Sequence, residues 1–197
     1  MIHSNQLFKK KIYTFELLMS DLKFLFKNRS IIKKAMHNPK LGKKFMEKVM
    51  TVVTAVNGCV YCSWFHAKQA ASTGISADEV KRLLQLQFKT DASDFELTAL
   101  LYAQHYAETD RHPNPEMTEK FELVYGNETA LHIFMMIRMI YFGNLTGNTF
   151  DAFISRLKGK KAENSNWFFE TVFFILNIPF LLPILPLTRK YRSTENE

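Results

Sequence analysis

With 197 residues the chain has the length of one ordinary domain that can bury a core without disulfide staples. Apolar residues make up 47% and aromatics 14%, with 18 Phe, which excludes a disordered polar chain. The net charge of +7 is concentrated at the start, where residues 1–50 hold twelve Lys/Arg against Glu16, Asp21 and Glu47. The basic stretch suits anionic lipid, an acidic protein surface or nucleic acid, and equally a solvated helix face. No nucleic-acid partner is expected from it.

Periodicity is helical almost throughout and alternating strand patterns are absent, so the fold class is all-α. A first helical region spans about Phe15 to Met36, with Leu18, Leu22, Leu25 and Phe26 as its apolar stripe, and Asn38-Pro39 breaks it. A helix over about Leu41–Val56 follows, with Glu47 at the edge of its apolar face, closed by Asn57-Gly58. The next helix starts near Cys59 and runs to Ser72 before Gly74. Ser76 with Glu79 and Ser93 with Glu96 read as capping boxes opening helices at about 77–88 and 94–109. Pro115 begins a helix to Tyr125, and a long apolar helix then reaches about Phe142. Gly143 and Gly147 are expected to separate it from a short last helix near Thr149–Leu157.

The stretch from Trp167 to Leu187 is almost uncharged yet contains Pro179, Pro183 and Pro186. Its apolar run after Glu170 falls short of the ~20 residues of a spanning helix, so packing on the domain or between subunits is expected. The flanking Lys158, Lys160, Lys161, Arg189, Lys190 and Arg192 also suit peripheral membrane contact. The run after Lys9-Lys10-Lys11 is interrupted by Glu16, Asp21, Lys23 and Lys27, so no secretory signal is read and a cytoplasmic address is expected, with membrane association through the C-terminal segment as the lesser reading.

The chemistry concentrates in Cys59-Val60-Tyr61-Cys62-Ser63-Trp64-Phe65-His66. On a helix of about 3.6 residues per turn, positions 59, 62 and 66 fall within an arc of about 60°, so two sulfurs and an imidazole share a face. In a reducing compartment such a pair reads as redox-active or metal-binding. One helical turn apart, the cysteines can close a disulfide with little backbone movement, and their place in the first turn is expected to lower a thiol pKa. His66 can take up the proton of Cys62, and Glu47, brought back by the Asn57-Gly58 break, can orient the imidazole, with partial burial raising its own pKa.

Other readings weigh less. A zinc site needs a fourth ligand that Glu47 or a distant His105, His112 or His132 would have to supply, so no metal is expected. Two inert core cysteines would not call for Glu47 and His66 beside them. Trp64 and Phe65 read as packing residues, His105 and His132 as satisfied histidines, and Met135, Met136 and Met139 as core filling.

The spacing Glu47-x11-Cys59-x2-Cys62-x3-His66 resembles the active-site pattern of alkylhydroperoxidase D, within the carboxymuconolactone decarboxylase-like family. Tyr61 and the Gly143-Asn144-Leu145-Thr146-Gly147-Asn148 region are also similar to members of that group. The resemblance implies a multi-helix catalytic core over 41–157, between a basic N-terminal helical segment, 1–40, and an apolar, proline-containing extension, 158–197. It implies that Cys62 attacks a hydroperoxide, that Cys59 resolves the sulfenic acid, and that Glu47 and His66 relay protons. It also implies no cofactor, a thiol reductant such as a lipoyl-bearing or thioredoxin-like protein, a peroxiredoxin as a further partner, and a homo-oligomer. The alternative is a non-enzymatic redox-sensing interaction module that uses the same cysteines.

Overall fold

The computed structural model describes residues 8–88 and 92–188. Among these the regular structure is helical, apart from an isolated bridge between Phe8 and Ala162. The helices are α1 (Phe15–Lys27), α2 (Arg29–Met36), α3 (Lys43–Asn57), α4 (Val60–Ser72), α5 (Ala77–Leu84), α6 (Asp94–Glu108), α7 (Pro115–Tyr125), α8 (Asn127–Leu157) and α9 (Trp167–Leu181). The first helical region is thus two helices joined at Asn28, whose backbone N–H and side chain both return to Phe24 O.

Helix α3 is the central element, packed on α4, α5, α6 and α8. That position explains its composition: Val49, Val52 and Val53 are fully buried, and even its polar Thr51 and Thr54 are enclosed. Ser76 and Ser93 do cap α5 and α6, accepting from the N–H groups of Glu79 and Glu96. The reciprocal half of the expected capping boxes is replaced, because the Glu79 and Glu96 carboxylates turn to Lys48 Nζ at 2.8 and 3.1 Å. A buried ammonium on α3 is the stronger claimant for both, and it ties the starts of α5 and α6 to the central helix. Helix α5 also ends at Leu84, earlier than expected, and Leu86 then adopts a left-handed φ of 58°.

The expected break at Gly143 and Gly147 does not occur: α8 runs unbroken for 31 residues. Glycine lowers helix propensity by only about 1 kcal/mol, and at Gly147 its lack of a side chain is needed. A Cβ there would sit 2.6 Å from Cys59 Sγ and 3.1 Å from Tyr61 Cδ2. The glycine marks a close approach of two helices rather than a helix end.

The N-terminal segment is built into the same core. Tyr13 is 1% exposed, its N–H bonds Thr149 Oγ1 on α8, and its hydroxyl donates to Asp21 Oδ2 at 2.9 Å. Buried Asp21 also receives Arg138 Nη2 at 2.9 Å and Arg111 Nη1 at 3.3 Å. Burial and then the Asp21 charge push the Tyr13 phenol far above its ordinary value, so it stays a donor. Asp21→Ala should destabilise the protein by about 3–5 kcal/mol, because two guanidinium groups would be left without their carboxylate. Asp21→Asn should cost less, and urea unfolding curves of the two variants check the order.

Candidate active site

The reversal between α3 and α4 sets the site. Gly58 takes φ 65°, the left-handed conformation glycine adopts without strain, and its N–H returns to Thr54 O. The chain then enters α4 with Cys59 as its N-cap, the Cys59 sulfur accepting from Cys62 N at 3.3 Å. The four residues expected from the sequence form two contacting pairs. His66 Nδ1 lies 2.7 Å from Glu47 Oε2, both side chains buried, and Cys59 and Cys62 Sγ lie 2.6 Å apart as free thiols.

These contacts divide the work between groups. Engagement of Nδ1 by a carboxylate selects the tautomer with its proton on Nδ1, leaving Nε2 as the basic nitrogen. His66 stands four residues after Cys62, on the same helix face. Cys59 is fully buried and Cys62 only half-buried, so Cys62 is the less enclosed residue of the pair.

The expectation that the helix start lowers the thiol pKa is overturned for Cys62. Its hydrogen bond with Cys59 comes first, then burial, then repulsion by a Cys59 thiolate, and together they push the Cys62 thiol well above its ordinary value. A backbone N–H and the charge of Lys10 act in the opposite direction but lose. Two sulfurs this close hold on to one shared proton, so the pair does not become a dithiolate near neutrality.

Several neighbours carry no spacing signal. Lys10 reaches the rim of the site, its Nζ 3.2 Å from Asp151 Oδ2, while the Tyr61 hydroxyl donates to Asp151 Oδ1 at 3.2 Å. Its Cε lies 4.0 Å from where a Cβ on Gly58 would stand. Lys10 sits far from the motif in sequence and outside the segment that carries the resemblance, so only tertiary packing reveals it. Thr54 Oγ1 donates to Asn144 Oδ1 at 3.0 Å and Asn148 Nδ2 to Asn57 O at 2.8 Å, which pins the end of α3 to α8. Both Asn57 amide atoms, Asn144 Nδ2 and Asn148 Oδ1 are buried without a protein partner, leaving a polar patch between α3 and α8. The Gly143–Asn148 region could be noticed in the sequence, but its role could not. The histidines that zinc would have needed are engaged elsewhere: His132 Nδ1 lies 2.8 Å from Asn38 Nδ2, and His105 Nε2 accepts from Asn114 N.

Two outcomes follow. Gly147→Ala should force Cys59 and α8 apart, lowering stability by about 1–3 kcal/mol and slowing disulfide closure, as thermal melting and thiol titration after peroxide will show. In reduced protein, Cys59→Ser removes the leading cause of the Cys62 shift, so the Cys62 thiolate should form at lower pH than in the wild type. Thiolate ultraviolet absorbance against pH reads this directly, and an unchanged or higher midpoint would contradict the shared-proton pair.

Among known proteins, no curated sequence and no solved structure matches the chain. The sequence profile of the carboxymuconolactone decarboxylase family matches residues 27–105, from the start of α2 through most of α6, and so contains Glu47, Cys59, Cys62 and His66. With that match and the all-helical architecture around these four side chains, the segment 27–105 is similar to a domain of the carboxymuconolactone decarboxylase family.

Proposed function

We propose that the protein is a thiol-dependent hydroperoxide reductase, a disulfide oxidoreductase that cycles Cys59 and Cys62 between dithiol and disulfide. The carboxymuconolactone decarboxylase family includes both decarboxylases and peroxidases of the alkylhydroperoxidase D type. The observation that favours the peroxidase is the pair of sulfurs 2.6 Å apart with the buried His66–Glu47 contact one turn further along α4. A decarboxylase has no use for two apposed thiols.

In this reading the pair loses one proton to His66 Nε2 and keeps the other shared between its sulfurs, and it reacts through Cys62 when the shared proton sits on Cys59. Glu47 steadies the imidazolium formed there. Cys62 sulfur attacks the distal oxygen of ROOH, the O–O bond breaks, and the alkoxide leaves as ROH with the proton from His66. The Cys62 sulfenic acid then condenses with Cys59: the S–S bond forms, and hydroxide leaves as water with the Cys59 proton. A dithiol reductant, for which a lipoyl-bearing or thioredoxin-like protein is suited, reopens the disulfide. Electrons can pass in the same way to a peroxiredoxin. A homo-oligomer working in the cytoplasm completes the proposal.

Peroxide should convert the reduced protein to an intramolecular Cys59–Cys62 disulfide, seen by mass spectrometry. Cys59→Ser should stop at a trappable Cys62 sulfenic acid without turnover, and Cys62→Ser should be inert. Glu47→Gln and His66→Ala should each slow hydroperoxide reduction about 10²–10⁴-fold with strongly non-additive effects. Full activity with both replaced would remove the relay, and two unmodified thiols after peroxide would remove the redox cycle. Stoichiometric oxidation without turnover by any dithiol would instead favour a redox-sensing module. Helix α9 packs against the cluster that contains Cys59 and can register its state.

A further inference from the structure

Helix α9 is apolar on every side. Its inner face supplies Phe173 to the main core and lays Phe174, Ile178 and Leu181 against the cluster of Cys59, Tyr61 and Phe150, on which Cys62 also packs. Its outer face presents Phe168, Ile175, Leu176 and Phe180, which are 58–70% exposed. The helical run Trp167–Thr188, 22 residues with a hydropathy of 2.0, is long and apolar enough to cross a membrane, and only 11% of it is buried. The length objection drawn from the sequence therefore fails, since the chain stays helical through Pro179. A helix facing water carries polar residues on its outer side, whereas this one presents an apolar face there.

The charges choose the occupant. Exposed Lys158, Lys160 and Lys161 precede α9, and Arg189, Lys190 and Arg192 follow it in sequence. Two-fold pairing of α9 with a second copy would set one basic end against the other, whereas anionic headgroups complement both. Spanning is opposed by Glu170, fully buried and held by Arg156 Nε at 2.6 Å and Nη2 at 3.1 Å, because insertion would carry that carboxylate into hydrocarbon. The outer face is also extended by α1, where Phe15, Met19, Leu22 and Phe26 form an exposed stripe. The Phe15 ring meets Phe169 edge-on with centroids 6.4 Å apart, so the two apolar faces adjoin.

We propose that α9, with the α1 stripe beside it, lies in the headgroup region of an anionic bilayer, and that the hydroperoxide reduced at Cys62 is carried on a lipid acyl chain. The substrate class rests on the peroxidase reading above; the docking surface does not. One helix presents one face to the bilayer and the other to the cluster that holds Cys59 and borders Cys62, so an acyl chain leaving the membrane beside α9 meets Phe174, Ile178 and Leu181 on the way to the cysteines. The balance is unchanged: the lipid hydroperoxide leaves as the lipid alcohol, Cys59 and Cys62 are oxidised to the disulfide, water is released, and a dithiol restores the pair.

The experiment uses the full chain, vesicles of phosphatidylcholine with and without phosphatidylglycerol, and dithiothreitol as reductant. The wild type should sediment with the anionic vesicles, less so at high salt, and should consume phospholipid hydroperoxide within them. The triple variant Phe168→Ser, Leu176→Ser, Phe180→Ser should keep its circular dichroism and its rate on a water-soluble hydroperoxide. It should lose vesicle binding and slow on the vesicle-borne substrate by at least about tenfold. Wild-type protein that stays in the supernatant, or that forms a dimer abolished by the triple variant, overturns the lipid surface in favour of a second copy. Equal slowing on both substrates overturns the substrate class. Vesicle binding without turnover of any hydroperoxide sinks the peroxidase reading and the substrate class with it, and upholds the docking surface.

Discussion

Everything at the site depends on the tight reversal at Gly58, where one left-handed residue folds α4 back along α3. The reversal brings His66 beside Glu47, nineteen positions earlier, and makes Cys59 the N-cap of α4 rather than a residue within it. It survives because α8 closes over it without a side chain at Gly147, while Asn148 accepts the role of donor to Asn57 O. Any residue with a Cβ at Gly147 would have to displace the Cys59 sulfur, so the packing of a helix far along the chain sets the distance between the two thiols.

Three buried acids hold the remaining helices in register, each answered by a base from another part of the fold. Glu47 on α3 meets His66 on α4, Asp21 on α1 meets Arg138 on α8 and Arg111 before α7, and Glu170 on α9 meets Arg156 on α8. A buried carboxylate deprived of its partner costs several kcal/mol, so a slipped arrangement is penalised even where apolar surfaces could still meet. In the first of these pairs the same device fits the proposed chemistry, since a carboxylate that orients an imidazole is what a proton relay requires.

The thiol pair shows why proximity and acidity have to be argued separately. A helix start favours a thiolate, but a second sulfur at 2.6 Å and an apolar enclosure oppose a second negative charge more strongly. The arrangement suits a pair that keeps one proton in reserve, because forming the disulfide from a sulfenic acid consumes that proton as water leaves. Residues of α9 join that enclosure, so the most apolar segment of the chain lies beside the cluster that buries Cys59.

The helices were legible in the sequence because their signals are local: periodic apolar faces, Ser76 and Ser93 as caps, Pro115 in a first turn, Asn57-Gly58 as a stop. The four site residues were legible too, since Cys59, Cys62 and His66 lie on one helix and Glu47 is joined to them by a single turn. Gly147 misled for the opposite reason: a glycine that admits a neighbouring helix looks the same in sequence as one that ends its own. Lys10 and Asp151 gave no signal, and the role of Asn144 and Asn148 beside Asn57 gave none, because each reaches the end of α3 or the start of α4 from an element far away in the chain. The sign of the Cys62 shift likewise belongs to tertiary structure alone, for it is set by the distance to Cys59 and by burial, and neither exists until α8 and α9 have packed over the start of α4.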